Sequence, residues 1–207
     1  EQVLLGQSQS AKKVLAELAS AGWIERYLLS PRAESGRFVE NLVLNAEQQQ
    51  VLQEIERAGP GYGVFLLHGI TGSGKTEIYL RLIARTLAAG KQALVLVPEI
   101  NLTPRLTQEF HARFPDAPLV SLHSGLAEGE RTQHWLQAQS GAAAIVLGTR
   151  LAVFTPLPKL ALIVVDEEQD SSFKQQDGLR YSARDVAVFR ARQAGIPIVL
   201  GSATPAL

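Results

Sequence analysis

Two short stretches of this sequence hold residue types that could do chemistry together. GITGSGKT, residues 69–76, fits the Walker A pattern of a phosphate-gripping loop. Gly69, Gly72 and Gly74 let the backbone wrap closely around phosphates, Lys75 reaches the β and γ phosphates, and Thr76 offers a hydroxyl to Mg²⁺. Far downstream, DEEQ at 166–169 ends an apolar run with three carboxylates. Asp166 is the candidate Mg²⁺ partner. Glu167 is placed to orient or deprotonate the attacking water of an in-line phosphoryl transfer.

These groups need a scaffold that brings them to one place. Between them VFLLHG, ALVLVP, PLVSLHS, AAIVLGT, LALIVVDE and PIVLGSAT read as strands, with helical stretches such as TEIYLRLIARTLAAG intervening. Near-continuous apolar strands separated by helices predict an α/β domain with a mostly parallel, doubly wound sheet covered on both faces. Ligands bind such sheets at the carboxyl ends of the strands. That rule places GITGSGKT, PEINLTPR, GTR, DEEQ and GSATP along one edge.

The 207 residues, 46% of them apolar, suit one large α/β domain plus a small appendage. Basic and acidic residues balance at 20 each, so any nucleic-acid or membrane surface must be local. The chain has no Cys, which excludes disulfides, thiolate metal sites and Cys nucleophiles within it. Without a long apolar run or a signal-peptide pattern in the first 30 residues, the expected location is cytoplasmic. A chain that starts at Glu1 and contains no Met reads as a piece of something longer.

Residues 1–40 have a different pattern. Val14, Leu15 and Leu18 predict a helix over 11–21, stopped by Gly22. WIERYLLS then reads as a strand, RAESGR as a turn and FVENLVL as a second strand, together resembling the last helix and β-wing of a winged-helix domain. With five basic and five acidic residues, this segment is open to two readings, a packing linker or a DNA contact. The expected division is 1–40 for this winged-helix-like segment and 41–207 for the phosphate-binding domain.

Walker A, PEINLTPR, GTR, DEEQ and GSATP in this order resemble the first, RecA-like motor lobe of superfamily 2 helicases, from about Asn45 onward. HGITGSGKTEIY, LVPEINLTPR, LHSGL, ERTQHWL, GTRLAVFTP, DEEQDSSFKQQDGLRY and ARDVAVFRA are similar to the bacterial replication-restart branch of those helicases. The resemblance implies an ATP- and Mg²⁺-dependent motor moving 3′ to 5′ on single-stranded and forked DNA. It also implies primosomal proteins and the single-strand-binding protein as partners. Gln48 in LNAEQQQ takes the place of the adenine-sensing glutamine, whose primary amide can pair with both N6 and N7 of adenine.

By the same resemblance, Ser202 and Thr204 couple hydrolysis to lobe movement through hydroxyl contacts to the DEEQ loop, where Gln169 sits. Thr149 and Arg150, with Pro98 and Glu99, resemble strand-tracking elements, and Arg105 is the phosphate contact beside them. QDSSFKQQDGLRYSARD resembles an aromatic-rich loop that senses single-stranded DNA, with Phe173, Lys174, Arg180, Tyr181 and Arg184 as its reading residues. Five basic against two acidic residues from Ser171 to Gly195 support that reading, since basic groups and aromatic faces together bind single strands without sequence preference.

Two positions depart from the family pattern. Gln169 stands where His is usual and Leu179 where an aromatic is usual, which alters the coupling point and removes one stacking platform. A second lobe, its arginine finger and the paired-Cys zinc sites implied by the resemblance are not in these 207 residues, so this chain is expected to bind ATP and hydrolyse it poorly. A small-molecule kinase would leave GTR, GSATP and the basic-aromatic loop unexplained, and a GTPase would carry an NKxD motif that is missing. A nucleotide-switched scaffold that binds ATP and partners without motor activity is the alternative that Gln169 favours.

Overall fold

The computed structural model describes residues 11–24, 37–59, 61–70 and 72–205. The chain divides into two compact units, residues 1–30 and 31–207. In the first, helix α1 (Ala11–Ser20) ends at the expected stop: Gly22 takes φ +71° and the Trp23 N–H closes on the Leu18 carbonyl at 3.0 Å. The WIERYLLS strand and the RAESGR turn lie almost wholly outside the described residues.

The second unit runs α2 (Ala46–Arg57), β1 (Gly63–His68), α3 (Lys75–Ala88), β2 (Gln92–Leu96), α4 (Pro104–Arg113), β3 (Leu119–Leu122), α5 (Glu128–Ser140), β4 (Ile145–Gly148), β5 (Leu160–Val165), β6 (Lys174–Gln175), β7 (Tyr181–Ser182), α6 (Ala183–Ala194) and β8 (Pro197–Ser202). All six expected strands are present. They form one parallel sheet in the order β1-β8-β5-β2-β4-β3, while β6 and β7 make a separate antiparallel hairpin. Because the six strands are parallel, the segments after His68, Leu96, Gly148, Val165 and Ser202 all leave the same edge.

The inner strands β2, β4, β5 and β8 are largely buried from both sides, as their near-continuous apolar runs require, whereas the edge strand β1 leaves Val64 and Leu66 exposed. Val95, Leu147, Val164 and Val199 face a layer made with Leu52 and Ile55 of α2, Ile83 of α3 and Phe110 of α4. Leu94, Val146, Ile163 and Ile198 face the opposite layer, where Ala183, Ala187 and Ala191 repeat every four residues along α6. Such a stripe of small side chains lets a helix lie close to the strands beneath it.

Helix starts follow local chemistry. Asn45 and Gln48 form a reciprocal capping box at α2, Thr103 accepts from the Leu106 N–H ahead of Pro104, and Ser182 accepts from the Asp185 N–H at α6.

FVENLVL corrects one expectation: it is not a strand. Phe38 stacks on Phe114 with centroids 5.2 Å apart, and Val39 exchanges hydrogen bonds with Arg113, its N–H donating to the Arg113 carbonyl at 2.9 Å and its carbonyl accepting from Nε at 2.6 Å. A side chain and the end of a helix supply the partners a neighbouring strand would have given. No helix among the described residues is long and apolar enough to cross a membrane.

Candidate active site

The loop between β1 and α3 is built by its glycines. Gly72 and Gly74 take φ +81° and +86°, left-handed values that a side chain would strain. A Cβ at Gly74 would also collide with the Gln48 amide. The loop is anchored to the sheet by the Gly69 N–H, which donates to the Ser202 carbonyl at 3.0 Å. Lys75 begins α3, and its buried ammonium donates to the Gly69 carbonyl at 2.7 Å and the Ile70 carbonyl at 3.3 Å. It also stands 3.9 Å from Glu167 Oε1. Thr76 follows, half-buried, in the first turn.

At the end of β5 the three carboxylates separate into different environments. Asp166 accepts from the Tyr79 hydroxyl at 3.1 Å. Burial pushes the Asp166 carboxyl above its usual range, and the neighbouring Glu167 charge adds to this against the pull of the Tyr79 bond. Burial, with Asp166 beside it, likewise pushes the Tyr79 phenol far up, so Tyr79 stays the donor. Glu167 takes φ +48°, the one left-handed residue other than glycine among the described residues, and this turns the chain sharply after the strand. Glu168 points the other way, buried, and pairs with Arg184 at 3.0 Å.

From Glu167 a hydrogen-bonded line crosses to β8. Gln169 Nε2 donates to Glu167 Oε2 at 2.7 Å, and Gln169 Oε1 accepts from the Ser202 hydroxyl at 2.6 Å. Ser202 Oγ in turn accepts from the Thr204 N–H at 3.1 Å. Lys75, Glu167, Gln169, Ser202 and Thr204 therefore form one chain of contacts, with Thr204 joining by its backbone instead of the expected hydroxyl. Gln169, the departure from the family pattern, makes both central bonds, because an amide is donor and acceptor at once. The Gln48 amide touches the same loop, donating to the Ser73 carbonyl at 3.1 Å while its oxygen serves the cap of α2.

The expected nucleic-acid residues fare unevenly. Arg105, Lys174 and Arg180 are exposed and Tyr181 is half-buried on the hairpin. Two others, Phe173 and Thr149, correct the sequence reading. Phe173 is 1% exposed within the layer under α6, so its ring offers no face to a base. Thr149 is buried, its N–H held by the Leu122 carbonyl at 3.1 Å. Arg184 is engaged by Glu168 and by Asp185 at 2.9 Å, which holds the start of α6 against the DEEQ turn. Arg150 turns toward the hairpin, donating to the Ser172 carbonyl at 3.1 Å and the Lys174 carbonyl at 3.2 Å. Pro98 is buried and Glu99 is exposed at the start of a single 3₁₀ turn.

A family model described as DEAD/DEAH box helicase matches residues 45–206. The chain belongs to that helicase family. It is 43% identical to the replication restart protein PriA of Haemophilus influenzae, over 98% of this chain and 29% of the relative. It is 55% identical to the PriA protein of Synechocystis, over 71% of this chain and 18% of the relative. This chain thus spans under a third of the length of these relatives. Among solved structures, RecG bound to a three-way DNA junction superposes with a TM-score of 0.60 at 21% identity, covering 80% of this chain and 22% of RecG. The Sulfolobus solfataricus SWI2/SNF2 ATPase core in complex with dsDNA gives 0.52 at 18% identity, covering 87% of this chain and 35% of that one. These two likenesses concern the fold.

The donor set of this helicase lobe suits a magnesium nucleotide: a glycine cradle that a Cβ would fill, a lysine at its rim, a hydroxyl in the first helical turn and a carboxylate at the next-but-one strand. Sequence reasoning missed what braces the cradle from behind. Glu77, two residues beyond Lys75 and buried, receives Arg113 through both carboxylate oxygens at 2.6 and 2.9 Å and Arg81 at 3.0 Å. Burial alone would raise the Glu77 carboxyl, but the two arginines outweigh it and hold the group below its usual range. Glu77 and Arg113 are far apart in sequence, and no local pattern marks them as partners.

Proposed function

We propose that this chain is the ATP-binding lobe of a 3′-to-5′ DNA helicase that restarts stalled replication forks. The observation that carries the reading is the line from Lys75 through Glu167 and Gln169 to Ser202, which ties a phosphate loop to the strand end from which a lobe-coupling segment would leave. The similarity to replication restart proteins supplies the biological setting. Single-stranded and forked DNA are the substrates in this reading. The single-strand-binding protein and primosomal proteins are the partners, zinc belongs to parts of the relatives outside this chain, and the location is cytoplasmic.

In this reading the loop amides and Lys75 hold the β and γ phosphates of ATP, Gln48 reads adenine, and Thr76 and Asp166 hold Mg²⁺. The metal supplies charge neutralisation at the transferring phosphoryl group. Glu167 orients water and takes its proton, and the Gln169 amide fixes the carboxylate that does so. Gln169 and Ser202 then report the state of Glu167 to the backbone beyond β8. Arg105, Arg150, Lys174, Arg180 and Tyr181 face the strand. With an arginine finger supplied from a second lobe, as the family resemblance implies, turnover would be faster than in these residues alone by about 10³ to 10⁵.

The test is a titration of fluorescent ATP analogue and labelled single-stranded DNA into the chain, separately and together. Both should bind, and each should change the affinity for the other. Joined to a second lobe, the protein should displace a strand from a 3′-tailed duplex. Failure to bind the analogue would end the reading. Coupled binding without strand displacement by the two-lobe protein would favour the switched scaffold.

A further inference from the structure

We propose that Phe154 is the base-stacking platform of this lobe, a site for the unpaired bases of single-stranded DNA. The proposal deepens the helicase reading and rests on it. Phe154 closes the 3₁₀ turn Arg150–Phe154 that follows β4, at the same edge as the phosphate loop, and is 47% exposed. Single exposed apolar residues are ordinary. What sets Phe154 apart is how the chain holds it outward.

Both neighbours of Phe154 are buried, and one arginine grips the carbonyl on each side. Arg190 of α6 donates through Nη1 to the Val153 carbonyl at 2.6 Å and through Nη2 to the Thr155 carbonyl at 2.5 Å. A planar guanidinium fixes two acceptors in a set geometry. The backbone that carries the ring is thereby clamped before any ligand arrives, and preorganisation of this kind lowers the entropy lost on binding.

The ring itself is braced by Tyr181, centroid to centroid 5.0 Å at 68°, a T-shaped contact. The Tyr181 hydroxyl is buried without a hydrogen-bond partner among the described residues, so packing on Phe154 positions this tyrosine more than any polar anchor does. Arg150 bonds the same turn to the hairpin through the Lys174 carbonyl. An aromatic face and the exposed cations Lys174 and Arg180 thus sit on two segments fastened together, the pairing that sequence-tolerant strand binding uses.

Among the described residues of the second unit, the other aromatic candidates are less well placed. Phe173 is in the core, and Leu179, 81% exposed at the hairpin, has no π face. Tyr62 precedes β1 at the opposite edge of the sheet, and Phe189 lies midway along α6. In the sequence Phe154 stands in an apolar run, LAVF, in which nothing local marks one residue as exposed.

The experiment is fluorescence anisotropy at low salt with a labelled oligo-dT and an abasic strand of equal length. Phe154→Ala should weaken oligo-dT binding roughly 5- to 150-fold and leave abasic binding within about twofold. Phe154→Trp should restore oligo-dT binding, whereas Phe154→Leu, apolar but without a π face, should not. Fluorescent ATP-analogue affinity, unchanged in all three, shows that each variant is folded. Equal loss on both strands, or no loss on oligo-dT, overturns the proposal. If the unaltered chain binds neither strand, the DNA reading of the lobe fails and this inference with it. If it binds both strands equally well, only the stacking platform fails.

Discussion

The Tyr79 hydroxyl donates to Asp166 Oδ1 at 3.1 Å, joining the helix that opens on Lys75 to the first carboxylate after β5. The same hydroxyl lies against Gly201, where a Cβ would collide with it. One phenol, itself in HGITGSGKTEIY, therefore touches two further segments recognised separately in the sequence, DEEQ and GSATP. Tyr79→Phe should keep the ring packing and lose only the orienting bond on Asp166. Nucleotide binding in EDTA should be unchanged, and the Mg²⁺ concentration needed for full binding of fluorescent ATP analogue should rise roughly tenfold. An unshifted Mg²⁺ dependence would separate Tyr79 from the metal-facing role of Asp166.

Lys75→Ala removes a buried ammonium that bridges two loop carbonyls and faces Glu167. Analogue affinity should fall at least tenfold, while far-UV circular dichroism stays unchanged because no core packing is lost. Unchanged affinity would refute the phosphate assignment of the loop.

Glu167→Gln should separate binding from hydrolysis. The substituted amide can still accept from Gln169, so the loop keeps its shape, but the group that takes a proton is gone. With the second lobe present, turnover should drop roughly 10²- to 10⁴-fold, with analogue affinity within a few fold. If affinity fell as far as turnover, Glu167 would be a binding group and the division of labour with Asp166 would be wrong.

The Glu77 brace predicts an acid limb in stability. Its carboxyl is held below the usual value of 4.5, so the stabilisation is present above that pH and is lost as pH falls through the lower folded value. Urea midpoints measured from pH 7 down to about 3 should therefore decline. Glu77→Gln should be less stable at pH 7, by about 3 kcal/mol for leaving Arg113 buried without its counter-charge, and should show a shallower decline. An identical acid limb in the variant would assign the pH dependence to other carboxylates.

The six strands were legible because a parallel sheet buried on both faces demands apolar runs, and the runs are there. Walker A and DEEQ were legible because their chemistry depends on residues next to one another. What failed to show was orientation. FVENLVL alternates like a strand, yet Phe38 and Val39 are taken up by Phe114 and Arg113. Basic and aromatic residues after DEEQ mark a binding surface by composition, but the 3₁₀ turn Ser171–Phe173 carries the aromatic ring inward and Glu168 captures Arg184. Gln169 reads as a departure in the sequence, and in the structure its amide makes both central bonds of the line from Glu167 to Ser202.

Among the described residues, strand β1 lies at the rim of the sheet and pairs only with β8, Gly63 opposite Pro197 and His68 opposite Ser202. The phosphate loop that β1 carries is thus footed on residues made about 130 positions later in the chain. During synthesis it leaves the ribosome early and waits, since pairing so distant in sequence is slow and cannot precede its partner. A nascent chain arrested before Pro197 would carry an intact GITGSGKT without the Ser202 carbonyl that anchors its Gly69 N–H, so the loop gains its footing on the sheet only when β8 docks.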